Sequence, residues 1–234
     1  MTAGYINLAN YKVMSFDKIP STQTYAHNLI ADGRGADHIA VLADAQSAGR
    51  GRYKRTWISH HGNLYVSFIY ACEERDARLA YSVGVAIAET LISCGVVPTI
   101  KWPNDILIDG KKVSGTLIEY SGRFVIVGIG INIKSNPTVK ASYATTKLDN
   151  YTNVTRDELL NKLMRNLDKW RNAEFTDVRA RWTELANGLN RTVKYRGEVA
   201  ELIGINENGA LVLRRGTQYA LVYGDEITMD TITT

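Results

Sequence analysis

The segment Gln46-Ser-Ala-Gly-Arg-Gly-Arg-Tyr-Lys-Arg-Thr-Trp57 places four cations, Arg50, Arg52, Lys54 and Arg55, within six positions. Cations this close repel one another until an anion arrives. The loop is therefore expected to be mobile when empty and to order over an anionic ligand. Gly49 and Gly51 let the backbone turn sharply and approach such a ligand closely. A solvated basic turn, or an Arg-Gly element for RNA, would use the same residues.

A second candidate is Lys101-Trp-Pro-Asn-Asp105, leading into Lys111-Lys-Val-Ser-Gly115. Pro103 has no backbone donor and is expected to end a strand, leaving Asn104 and Asp105 at a break in a sheet. Alternation sends Lys111 and Lys112 to opposite faces, so only one of them can point at a site. Gly115 allows close backbone approach in the partner strand. A polar hairpin tip explains Asp109 to Lys111, but not a lysine inside a strand beside a Trp-Pro-Asn-Asp break. Gly128-Ile-Gly-Ile-Asn132 is a weaker signal. Its glycines read first as a bulge, and Asn132 carries the donor and acceptor needed to read an adenine edge.

Several familiar motifs fail. Neither Gly49-x-Gly51 nor Gly128-x-Gly130 has the third glycine of a dinucleotide fingerprint, and no G-x-S-x-G elbow occurs. His27, His38, His60 and His61 make no HExxH spacing, and Cys72 and Cys94 make no CxxC. No protein-bound metal is expected. Both cysteines lie in apolar stretches, which reads as buried packing in a reducing compartment.

The elements that position these residues follow from 234 residues, 45% hydrophobic and 22% charged. That length holds one full-sized domain and a small one. The net charge of +4 suits an enzyme handling anions better than a nucleic-acid binder. The amino terminus has no basic flank and apolar core, and the apolar run from Val83 to Ile92 is too short to span a bilayer. A cytoplasmic protein without a membrane partner is expected.

Alternation predicts strands from Lys12 to Phe16, His38 to Ala43 and Leu64 to Tyr70. Further strands are predicted from Thr99 to Trp102 running on into Ile106 to Ile108, from Val113 to Tyr120, and from Arg123 to Ile133. Turns at Asp109-Gly110 and Ser121-Gly122 make the last of these antiparallel. Helices are predicted from Thr22 to Ala31, capped by Ser21, and from Asp76 to Gly95. Two more run from a Thr155/Glu158 capping box to Trp170, and from Thr176 to Ala186. Short strands follow from Thr192. The fold class is α+β, a mainly antiparallel sheet with helices across residues 1–187, then a small β-barrel or sandwich across 188–234.

These motifs, in this order, resemble the biotin protein ligase family, over nearly the whole chain. The matching positions are Ser21-Thr22-Gln23, the loop from Gln46 to Trp57, Asn63 to Ser67, Lys101 to Asp105, Lys112 to Glu119, and Gly128 to Asn132. The resemblance implies a class II synthetase-like fold with an SH3-like carboxy-terminal barrel. It implies a two-step reaction: biotin carboxylate attacks the α-phosphorus of ATP, and a carboxyl-carrier lysine then takes biotin from biotinyl-5′-AMP. Biotin and ATP are substrates, and Mg²⁺ comes with the ATP. The partner is a biotin carboxyl carrier domain of a carboxylase.

By the same resemblance, biotin is met by Ser21, Thr22, Gln23, Gln46, Gly49, Arg50, Gly51, Arg52, Lys112 and Gly115. The nucleotide is met by Arg52, Arg55, Trp57, Lys101, Asn104, Lys112 and Asn132. Arg50, Arg52 and Lys112 neutralise charge in the first step, and Asp105 orients or deprotonates the acceptor lysine in the second. Gln23 stands where Asn is commoner, and Ser114 where Ala is. A helix-turn-helix domain, which some relatives carry, needs roughly 50–60 residues, and 20 precede Ser21. A monofunctional ligase with no DNA partner is therefore expected. Relatives include monomers and homodimers joined edge to edge. The rival readings are a lipoate or octanoate transferase, a nucleic-acid-binding module, and a silent biotin-binding protein.

Overall fold

The structure is a computed structural model that describes residues 4–137, 144–223 and 228–229. Its centre is an eight-stranded sheet. The strands are β1 (Gly4–Leu8), β2 (Tyr11–Ile19), β3 (Ile39–Gln46), β4 (Leu64–Ala71), β5 (Thr99–Lys101), β6 (Asp105–Ile108), β7 (Lys111–Ser121) and β8 (Phe124–Ile131). They lie in the order β1-β2-β3-β4-β8-β7-β6-β5. Every pairing is antiparallel except β2 with β3. That exception has a topological cause: helix α1 (Thr22–Ala31) is the crossover returning the chain to run alongside β2.

Helix α1 begins where expected, with the Ser21 hydroxyl accepting from the Thr24 amide, and it ends before Gly33 at φ +72°. Its inner residues Ala26 and Leu29 join Met14, Phe16, Val41 and Ile126 in one apolar cluster. Helices α2 (Leu79–Ile92), α3 (Arg156–Arg171) and α4 (Phe175–Leu185) belong to a second, larger cluster. Thr155 and Glu158 form the predicted capping box of α3. Helix α2 starts at Leu79 rather than Asp76, because the Asp76 carboxylate turns to accept from the Arg78 amide at 2.8 Å. It is buried on nearly every side, so its pattern is closer to a continuous apolar run than to one stripe.

Three local expectations need correction. Residues 4–8, read as a polar terminus, form edge strand β1. Residues 99–108 are two strands and not one broken strand, since Trp102, Pro103 and Asn104 make the turn of an antiparallel β5–β6 hairpin. The β7–β8 turn is Gly122-Arg123, one residue beyond the predicted pair, because Ser121 still pairs with Phe124.

The rest of the chain forms β9 (Thr192–Tyr195), β10 (Glu198–Ile205), β11 (Leu211–Arg215), β12 (Gln218–Val222) and β13 (Thr228–Met229). They order as β12-β11-β10-β9-β13, and the pairings among the described residues leave this five-stranded sheet open. Its apolar face, including Val193, Leu202 and Leu213, shares the larger cluster with α2 to α4.

Candidate active site

The floor of the site is backbone. Gly115 in β7 lies directly opposite Gly130 in β8, and Gly128 lies opposite Leu117 on one side and Ser67 of β4 on the other. A Cβ on Gly130 would come within 2.5 Å of the Trp57 ring, and one on Gly115 within 3.0 Å of Lys112 Cε. The glycines exist so that these two side chains can lie flat on the sheet. The predicted bulge at Gly128 to Gly130 is absent: β8 keeps unbroken register with both neighbours. The irregularity sits instead between β6 and β7, where Ile106 pairs with Ser114 but Leu107 with Lys112. That extra residue re-aims the strand beside Lys112. As alternation required, Lys112 turns inward and Lys111 stays exposed.

Over this floor lies a cavity of about 430 Å³. One wall is neutral and polar. Thr22 donates from its amide to Gln46 Oε1 at 2.8 Å, and the Ser67 hydroxyl lies 2.9 Å from both Thr22 Oγ1 and Gln23 Oε1, with one hydrogen to donate. Opposed to it are cations and rings. Lys112 Nζ lies 2.5 Å from an Asp105 carboxylate oxygen and 5.3 Å from the Trp57 ring centroid. Asn132 donates to the Thr146 carbonyl at 3.0 Å, while its Oδ1 is buried without a hydrogen-bond partner among the described residues. The Trp57 Nε1 hydrogen is likewise buried and unmatched. Orphaned buried polar atoms in a cavity are costly unless a ligand meets them.

The basic loop is a small hairpin. Arg50 and Thr56 form an antiparallel bridge, the Trp57 amide donates to the Gly49 carbonyl, and Tyr53 and Lys54 take φ near +53° and +59° at the tip. Its arginines divide between Glu119 and Asn104, with Tyr53 shared by Arg52 and Arg55. Arg50 donates two hydrogen bonds to Glu119, at 2.7 and 3.1 Å. Arg52 donates to Asn104 Oδ1 at 3.2 Å and to the Tyr53 hydroxyl at 3.0 Å. Arg55 lies 5.4 Å from the Tyr53 ring centroid.

Among the expected site residues, Ser21, Thr22, Gln23, Gln46, Arg50, Gly51, Arg52, Arg55, Trp57, Asn104, Asp105, Lys112, Gly115 and Asn132 all line this one cavity. Two do not. Gly49 lies outside the lining, and a Cβ there would strike the Trp57 carbonyl oxygen at 2.3 Å, so it serves the close approach of the hairpin's own arms. Lys101, at the end of β5 opposite Asp105, is also outside the lining. Arg50 reaches the cavity, but its guanidinium is committed to Glu119 and not to the open space. Residues 56, 58, 65, 67, 116, 117, 128–130, 137 and 145 also line the cavity without having been assigned to the site; none carries a charge that would mark it in a sequence.

The Biotin/lipoate A/B protein ligase family pattern matches residues 15–136. The chain is 31% identical to the bifunctional ligase/repressor BirA of Bacillus subtilis, across 90% of this chain and 72% of that one. It is 32% identical to a biotin--[acetyl-CoA-carboxylase] ligase of Paracoccus denitrificans, across 74% and 83% of the two chains. Among solved structures it resembles a biotin protein ligase from Aquifex aeolicus in complex with biotin and ATP. The TM-score is 0.79 at 27% identity, covering 93% of this chain and 98% of that one.

Proposed function

This chain belongs to the Biotin/lipoate A/B protein ligase family, and from that premise we propose how its residues divide the work. It is an ATP-dependent biotin ligase: it makes biotinyl-5′-AMP and transfers the biotin to a lysine of a carboxylase carrier domain. The observation that carries the assignment of residues is one cavity that combines a neutral hydrogen-bonding wall with Arg52 and Lys112 over a glycine floor. Ser21, Thr22, Gln23 and Gln46 suit an uncharged ureido ring. Trp57 and Asn132, with their unmatched Nε1 and Oδ1, suit a nucleobase.

In the first step two anions must meet, and the nucleophile, a carboxylate, needs no base. Arg52, held by Asn104, and Lys112 reduce the repulsion and align the reactants. One such positioned donor is typically worth ~3–4 kcal/mol at the transition state. Mg²⁺ fits as a companion of the phosphates, neutralising their charge. Asp105 is the one carboxylate among the described residues lining the cavity, so the protein offers no carboxylate cage of its own.

The Lys112–Asp105 pair links the two steps. An arriving carboxylate and phosphate give Lys112 new anionic partners, and its shift onto them frees Asp105. The freed carboxylate can then take the proton of the acceptor ammonium. The neutral amine attacks the acyl carbon, and AMP leaves with the electron pair of the broken anhydride bond.

A lipoyl or octanoyl substrate is the alternative within the family. Its ring or chain has no amide to exchange hydrogen bonds with the Thr22, Gln23, Gln46 and Ser67 wall, so it would gain nothing there that a ureido ring gains. We further read residues 188–234 as a small second domain, and the cytoplasm as the working compartment of a chain whose two cysteines are free. A homodimer would use β1. The opposite sheet edge, β5, is covered where Asn187 donates to the Ile100 carbonyl at 2.8 Å. The test is to incubate the protein with biotin, ATP, Mg²⁺ and a carrier domain, then weigh the carrier. One biotin on the acceptor lysine, and none on a Lys→Arg carrier, is expected; an unmodified carrier contradicts the reading.

A further inference from the structure

Glu119 lies on β7, outside the cavity lining, yet it gathers three side chains from two separate parts of the chain. Arg50 of the basic loop binds both its oxygens, at 2.7 and 3.1 Å. From α1, His27 Nε2 lies 2.9 Å from Oε2 and Gln23 Nε2 donates to the same oxygen at 3.1 Å. The carboxylate is thus fixed on the sheet side by α1, while its other face grips the loop. A two-point Arg–carboxylate pair sets orientation as well as attraction. The loop is also held by Arg52 donating to Asn104 Oδ1, by the Ser47 and Ala48 amides donating to the Ile19 and Pro20 carbonyls, and by the Gln46–Ser59 clip at its base.

The loop also carries Arg52 and Trp57, which face the cavity. Where Arg50 goes, they must follow, since only one residue separates Arg50 from Arg52 and the Arg50–Thr56 bridge fixes the residue before Trp57. We infer that Glu119 is a positioning residue, the fixed half of a latch whose moving half is Arg50, and that this latch holds the basic loop closed over the bound adenylate. Arg50 then acts through its anchor and not by giving charge to the substrate. Gln23 and His27 keep the Glu119 carboxylate aimed at the loop.

The inference rests on the adenylate-forming reading, and the experiment keeps the two apart. Biotinyl-adenylate is formed on the enzyme from biotin, ATP and Mg²⁺, and its release is timed after a chase of unlabelled biotin. If the unaltered protein forms no adenylate, the functional reading fails. Glu119→Gln keeps the shape and removes the charge, and Arg50→Gln removes the opposite charge from the more exposed side. Each is expected to speed adenylate release by about tenfold, the size expected for a partly exposed charge-assisted pair. The double variant should be no worse than either single one, because both remove the same contact. Melting temperatures should stay together, since the pair holds a loop and not the core. The latch is overturned if release is unchanged in both single variants. It is equally overturned if the double variant multiplies the two effects.

Discussion

At the scale of single residues, two pairings govern the site: Lys112 with Asp105, and Arg50 with Glu119. The first couples both half-reactions. Asp105→Asn should slow adenylate formation by at least about tenfold, because Lys112 loses the neighbour that aims it. It should slow transfer to the carrier as well; rapid-quench measurement of each half-reaction checks this, and an effect on transfer alone would show that Asp105 does not position Lys112. The second pairing has a pH signature. Burial raises the Glu119 carboxyl, but His27, Gln23 and Arg50 outweigh it and hold the group below its ordinary 4.5. A group depressed in the folded state contributes fully above that value, and the contribution is lost as pH falls through the lower folded one. Trp57 fluorescence should therefore stay constant down to about pH 4.5 and change below it, with no such step in Glu119→Gln. The motif residues were legible because unusual types carry them: clustered Arg, Lys beside Trp-Pro-Asn-Asp, paired glycines. Arg50's true partner was not, since Glu119 lies 69 positions away and only the β7 register brings it to the loop.

At the scale of elements, the glycine floor of β7 and β8 sets what can lie over the sheet. A methyl at position 130 would sit 2.5 Å from Trp57, a contact no side chain tolerates, so Gly130→Ala must push the ring off the floor. Its KM for ATP should rise by about tenfold or more, while thermal stability changes little; an unchanged KM would mean Trp57 does not serve the nucleotide. Sequence alone suggested a bulge there because glycines weaken strands and bulges are a common reason to find them. Register decides otherwise: Gly115 faces Gly130, and the irregularity lies at Lys112 instead. Helices were easier to read. The Ser21 cap and the Thr155/Glu158 box are local devices, fully contained in neighbouring residues. Edge strand β1 was missed because five residues are too few to show a period of their own, and it is the pairing with β2 that defines the strand.

At the scale of the whole molecule, the two sheets share one apolar cluster and one buried polar relay. Trp102 Nε1 donates to the Tyr81 hydroxyl at 3.1 Å, and that hydroxyl donates to the Gly209 carbonyl at 2.8 Å. The relay ties the hairpin beside Asp105 to the carboxy-terminal sheet through α2. Tyr81→Phe leaves two buried polar groups unmatched and should cost about 1–3 kcal/mol of stability, visible as a lowered but still single thermal transition; two separate transitions would show that the sheets fold independently. The alternation of helix and strand and the late run of short strands were readable from period and turn residues. The shared cluster was not, because it joins segments far apart in the chain.

The central claim is that this cavity activates biotin. The direct measurement omits any acceptor: the protein, ATP and Mg²⁺ are mixed with biotin, lipoate and octanoate together, and the adenylates formed are weighed by mass spectrometry. Biotinyl-5′-AMP alone, lost when Lys112 is replaced by Gln, is the expected product. A lipoyl or octanoyl adenylate in its place, or no adenylate from any of the three acids, would contradict the account.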